Sequence, residues 1–340
     1  MKRACALILA AAAVLVGSAS AAESTYTVTN LVSDQAGVAL HQDSDLVNAW
    51  GLTSLPTSPW WVADNGTDVS TLYRADGSKV NLTVQVPNAP TGAVANTNPS
   101  SFAGGRFLFS TEEGKILYWN PAVSPTQAQV AVDNSGVGAI YKGLAISFAP
   151  DLLYATDFHN ARVDVFDSNF HPVNIPGAFV DPGIPSGYAP FGIQNIGGTI
   201  FVTYAKQDAA GEDDVAGQGH GFVDRFSTTG TFLGRVATHG QLNSPWGLAM
   251  APATFGRFSG DLLVGNFGDG EISAFEPQLD GTYELAGQLR TSDHKVLTID
   301  GLWALQFGKG APNNGPTDTL FFTAGPDDES HGLFGTITAG

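Results

Sequence analysis

Asp157, His159, His220 and His331 carry the donor chemistry of a transition-metal site. Imidazole nitrogens with a carboxylate suit zinc in four-coordinate sites. The three histidines fall on turns expected to share one face, although no H-x-x-x-H spacing joins them. A second candidate is "KQDAAGEDDVAGQGHG", residues 206–221, where Asp208, Glu212, Asp213 and Asp214 supply the oxygen ligands that Ca²⁺ takes. Its spacing is not that of an EF-hand loop. A divalent ion, Ca²⁺ or Zn²⁺, is therefore the cofactor class these residues admit. The alternative is a set of solvated acidic turns on an acidic protein.

A further set suits organic ligands. Trp50, Phe191 and Trp246 can stack on a flat molecule or plug an opening, and Tyr204 is expected nearby. Lys142 and Asp300 are expected to face each other, as an ion pair or as contacts to a substrate. A lysine among aromatics can also have a lowered pKa and act as a base. No G-x-S-x-G elbow or G-x-x-x-x-G-K-[ST] loop is present. Hydrolysis would fall to a metal-bound water or to a carboxylate or histidine base.

These residues converge only if the chain repeats. Six segments align on a glycine: "NAWGLTSL", "APTGAVAN", "IYKGLAIS", "APFGIQNI", "SPWGLAMA" and "TIDGLWAL", with Gly51, Gly92, Gly143, Gly192, Gly247 and Gly301 at spacings of 41, 51, 49, 55 and 54 residues. That is the length of a four-stranded propeller blade. Short β-rich runs such as "WWVADN", "LLYATDFHN" and "LLVGNFGDG" follow each glycine, and no long 3.6-residue periodicity competes. The reading is all-β: one six-bladed β-propeller over residues 23–340, closed by "TYTVTNLVSD" as the outer strand of blade six. The glycine opens each innermost strand, where six backbones crowd the axis. The residue before it stands at the channel mouth. The turn after each second strand adds a second ring that includes Asp64, Asn65, Glu112, Gln207, Asn266 and Glu329.

Residues 1–22 read as a signal peptide: Lys2 and Arg3, an apolar run from Ala4 to Val16, and "ASA" before the cleavage point. The run is shorter than the ~20 residues of a membrane span. The expected mature protein is exported to the periplasm or beyond and has no transmembrane segment. It also lacks cysteine, since Cys5 is the only one. The chain carries a formal charge of −17; without Lys2 and Arg3 it has 13 basic against 32 acidic residues, or −19. Such a charge opposes nucleic-acid binding.

The units resemble those of NHL-repeat and gluconolactonase-type propellers. Stretches such as "WWVADNGTDVSTLY", "LYATDFHNARVDVFD" and "LNSPWGLAMAPATFGRFSGDLLVGNFGDG" resemble an uncharacterised family of secreted bacterial six-bladed propellers, some with PEP-CTERM tails. The resemblance to the gluconolactonase class implies a divalent metal held partly by residues just before the innermost glycine. Here those slots hold Trp50, Thr91, Lys142, Phe191, Trp246 and Asp300, of which only Asp300 can ligate, so that site does not carry over. Two functions stay open: an exported protein binding a small molecule or protein ligand at the mouth, or a metal-dependent hydrolase or lyase using the same mouth.

Overall fold

The computed structural model describes residues 24–340; the expected signal peptide lies outside them. Six sheets radiate from one axis. Blade one is built from Ala49–Thr53, Trp60–Asp64, Val69–Tyr73 and Lys79–Gln85, and blades two, four and five repeat this four-stranded plan. Blade three has three strands, Tyr141–Phe148, Asp151–Asp157 and Arg162–Asp167. Blade six joins the two chain ends. Leu302–Phe307, Leu320–Ala324 and Leu333–Ala339 are completed by Tyr26–Ser33, which runs antiparallel to Leu333–Ala339 with Tyr26 opposite Ala339. The expected closure is therefore present, and it pairs the edge that blade six would otherwise expose. No helix among the described residues is long and apolar enough to cross a membrane.

The period of two in each strand makes the core. Trp60 packs toward blade six and Trp61 toward blade two; Leu263 packs toward blade six and Leu262 toward blade four. Six hydrophobic clusters thus fill the six gaps between neighbouring sheets. Both faces of every sheet are buried, which explains the dense apolar runs in the second strands.

The innermost strands approach so closely that side chains are excluded. A Cβ on Gly51 would stand 2.4 Å from the Thr91 carbonyl oxygen, one on Gly192 2.2 Å from that of Trp246, and one on Gly247 2.5 Å from that of Trp303. Hydroxyls stitch the ring. Thr91 Oγ1 donates to the Tyr141 carbonyl at 2.7 Å and Thr156 Oγ1 to that of Phe191 at 2.7 Å.

The sixth position corrects the sequence reading. Gly301 lies before the strand at φ +63, in a turn against Gly325. Ala304 takes the ring place. Its amide donates to Thr323 Oγ1 at 3.1 Å, as the Gly92 amide does to Ser110 Oγ and the Gly192 amide to Thr203 Oγ1. The mouth residue of blade six is accordingly Trp303, and Asp300 is exposed.

Gly192→Ala is expected to cost about 3 kcal/mol by forcing the ring apart, whereas Gly136→Ala, with open space around its Cβ position, should stay within about 0.5 kcal/mol. Denaturant unfolding of both variants checks the difference.

Candidate functional site

Three tryptophans occupy the mouth slots of blades one, five and six, and their size decides what the channel can be. Trp50 and Trp303 lie with ring centroids 3.7 Å apart, and Phe267 stacks on Trp303 at 4.0 Å. Phe158 and Phe191 pack beside them, with Phe191 5.9 Å from Trp303. Trp50, Phe191 and Trp303 are all at most 2% exposed. The stacking surface expected for a flat ligand is therefore used by the protein itself, and the aromatics plug the channel. Trp246 and Phe267 are half-buried, and Trp246 Nε1 donates to the Lys142 carbonyl at 3.0 Å.

Polar residues continue outward from the plug. Trp50 Nε1 and Trp303 Nε1 both donate to Asn48 Oδ1, at 2.8 and 3.1 Å. Asn48 Nδ2 donates to Asn65 Oδ1 at 3.1 Å, and Asn65 Nδ2 to Glu112 Oε2 at 3.0 Å. Glu112 Oε1 accepts from Lys142 Nζ at 2.5 Å, which also donates to Asp213 Oδ1 at 3.0 Å. One chain of hydrogen bonds thus links two indoles to an ammonium buried to 2% exposure.

The electrostatics follow from that burial. Desolvation by itself would lower the Lys142 pKa, but the carboxylates of Glu112 and Asp213 outweigh it and hold the value above normal. Lys142 therefore pairs with Glu112 and Asp213 rather than with Asp300, and its raised value does not suit the option of a lowered-pKa base. Asp300 instead accepts from the Asp327 amide at 2.9 Å.

Asp327, Asp328 and Glu329 form a run of three non-glycine residues with φ of 58, 50 and 63, a conformation that costs free energy and persists only where its surroundings enforce it. Burial, then the charge of Glu112, pushes the Glu329 carboxyl up to about 7, with Lys142 opposing and Asp213 and Asp214 reinforcing. Burial also raises Asp214. The site is four carboxyl groups, Glu112, Asp213, Asp214 and Glu329, around one ammonium above a closed aromatic floor.

The expected metal ligands do not assemble. Asp157 is buried, accepting from Asn160 Nδ2 at 2.7 Å and paired with Arg162 at 3.2 Å. His220 Nδ1 contacts the Val215 carbonyl at 2.8 Å, and His159 lies exposed beside Gly138 and Gly211. His331 Nδ1 meets Asp34 Oδ2 at 2.7 Å, and the Gly332 amide donates to the same carboxylate, fastening the closing strand. Among the described residues no group of three or more His, Cys, Asp or Glu side chains is arranged to hold a metal ion. The place a divalent ion would take among the mouth carboxylates is filled by the Lys142 ammonium. Tyr204 is also away from the mouth, in the core between blades three and four, where burial raises its pKa.

Sequence reasoning placed Glu112, Asp213, Asp214 and Glu329 on mouth loops but joined none of them to Lys142. It missed Trp303, Phe158 and Phe267. The Trp303-Ala304 pair was visible as a third Trp-small-residue repeat inside "GLWALQ".

Two measurements follow. Lys142→Met is expected to destabilise the fold by about 1–3 kcal/mol at pH 7, because it leaves the partly buried Glu112 and its acidic neighbours without their cation, while the exposed Asp213 can return to water; adding Glu112→Gln should recover part of the loss. The folded Glu329 value lies above the unfolded 4.5, so its contribution to stability is full below pH 4.5 and is lost as pH rises through about 7. Glu329→Gln should therefore gain about 1–2 kcal/mol over the parent between pH 4.5 and pH 8, a figure discounted for the carboxyl's partial exposure. Urea unfolding across that range reads it.

No family model matches the chain. Uncharacterized protein R648 of Acanthamoeba polyphaga mimivirus is 34% identical over 334 residues, covering 93% of this chain and 81% of that protein. Uncharacterized protein L690 of the same virus is 33% identical over 341 residues, covering 93% and 86%. Among solved structures, a Bacteroides thetaiotaomicron protein of unknown function superposes with a TM-score of 0.61 at 11% identity, covering 94% of this chain and 77% of that one. A streptogramin B lyase gives 0.54 at 12%, covering 93% and 98%. The PQQ-bound aldose sugar dehydrogenase of Streptomyces coelicolor gives 0.55 at 13%, covering 94% and 99%. At these identities the structural likeness speaks for the propeller fold alone. These sequence relatives are uncharacterised viral proteins, and they do not bear on the bacterial origin, secretion or PEP-CTERM tails that the motif resemblance implies. With a third of its residues identical over nearly its whole length, the chain belongs to the family that contains mimivirus proteins R648 and L690.

Proposed function

We propose that the protein binds a small cationic molecule at the propeller mouth, resting on the aromatic plug and held by Glu329, Asp214, Asp213 and Glu112. One observation carries this reading: the Glu329 carboxyl is pushed up to about 7 beside three other acidic groups and a single ammonium. A site with more carboxyl groups than cations, drawn partly out of water, gains by accepting another positive charge. The blade-four insertion supplies Asp213 and Asp214 as one wall, and the strained segment ending at Glu329 supplies the other. The overall charge of −17 favours a small cation over nucleic acid. Export through the basic and apolar N-terminus belongs to the same proposal.

A second reading has its own support. A carboxylate near 7 is matched to proton abstraction at neutral pH, which would make Glu329 the base of a lyase or hydrolase. The metal-dependent form of that reading finds no ligand set among the described residues, so the carboxylate would act without one.

The test is a thermal-shift screen of polyamines, amino sugars, neutral sugars and small organic acids, followed by calorimetry on the compounds that stabilise. Stabilising compounds should be cations, and Glu329→Gln should weaken them about tenfold, the size of one charge-assisted hydrogen bond. Stabilisation by organic acids, or by cations equally well in Glu329→Gln, would overturn the reading.

A further inference from the structure

On the face opposite the mouth, Lys309 and Arg106 line cavities of a different character. Two cavities adjoin there, sharing Pro56 and Thr97. One, of 330 Å³, lies at the far ends of the innermost strands and includes Ser54, Gln194, Gln306 and Lys309. The other, of 630 Å³, runs between blades one and two past Leu55, Pro99 and Pro121 to Arg106. Neither lining contains an Asp or Glu, in a chain that has 32 of them. Asp151, which is in neither lining, accepts from Asn98 Nδ2 at 2.6 Å.

Lys309 is held in place rather than left loose. Asn314, fully buried, donates from Nδ2 to the carbonyls of Leu55, Pro56 and Ser58, and its Oδ1 accepts from the Lys309 amide at 3.3 Å. This clamp ties the Lys309 loop to the blade-one turn. Although the residue as a whole is exposed, its ammonium turns inward and donates to the Ser54 carbonyl. Burial lowers its pKa to about 8, and no carboxylate among the described residues offsets that cost. Ser54 is 1% exposed, and its hydroxyl has no partner among the described residues. A buried hydroxyl and an ammonium without a counter-charge, side by side in one cavity, lack an acceptor that carries negative charge.

We propose that this face binds a small amphiphilic organic anion, its oxyanion group at Lys309 and its apolar body along Leu55, Pro56, Pro99 and Pro121. The site is distinct from the mouth and does not depend on the mouth's function. Its two halves explain each other. The lysine supplies charge in one cavity, and the prolines supply a rigid apolar wall along the other. An anion also supplies the counter-charge that the inward-turned Lys309 ammonium lacks.

The probe is 8-anilinonaphthalene-1-sulfonate, titrated by fluorescence into the full chain, with N-phenyl-1-naphthylamine as the analogue lacking the sulfonate. One site is expected for the sulfonate, weakened about tenfold in Lys309→Gln, as loss of one charge-assisted contact implies. Lys309→Arg should retain most of the affinity, and Glu329→Gln, at the opposite mouth, should leave it unchanged. Affinity should fall as pH rises beyond about 8 and be flat with pH in Lys309→Gln. Circular dichroism confirms that each variant folds. No sulfonate binding to the parent, equal affinity in Lys309→Gln, or equal binding of the uncharged analogue would each overturn the proposal.

Discussion

The Trp246 carbonyl oxygen stands where Gly192 leaves no room for a methyl group, and the same approach recurs from blade to blade around the axis. Much of the molecule follows from that contact. Backbones this close force the residue before each ring position to direct its side chain out at one end, so Trp50, Phe191, Trp246 and Trp303 gather whatever their separation in sequence. Large indoles in a narrow ring must stack, and stacking closes the channel. A plugged channel divides the molecule into two faces that need not resemble each other.

The faces differ in charge. At the mouth, a buried ammonium is tolerable only because Glu112 and Asp213 lie against it, and Glu112 is aimed by Asn65, Asn48 and the indoles beneath. Excess carboxyl groups then collect around the pair, and Glu329 is held among them by a backbone run that would relax elsewhere. On the far face the inward-turned ammonium of Lys309 has no such partner among the described residues. The mouth is short of positive charge and the far cavity is short of negative charge, which is why opposite ligands suit them.

The repeat was legible because glycine is the only residue that fits most ring positions, and five of the six stand where the alignment set them. The sixth went astray for a local reason. Gly301 sits three residues early in a left-handed turn, while Ala304 fills a ring place that tolerates a methyl. Closure by Tyr26–Ser33 was legible from a missing strand at one end and a spare one at the other. The site was less so. Lys142 could be singled out as a cation in an odd slot, but its partners come from a turn 30 residues earlier and an insertion 71 residues later. Nothing local marks such pairs. The histidines misled because imidazole also serves as a strap: His331 fastens Asp34 across 297 residues.

The central claim is that the Lys142 ammonium is the resident cation of the mouth. Nitrogen-15 NMR of the lysine side chains through an alkaline titration tests it directly. The account predicts a Lys142 signal that stays protonated, with slowed proton exchange, above the ordinary lysine value of 10.5. A Lys142 that titrates at or below that value, with fast-exchanging protons, would contradict it.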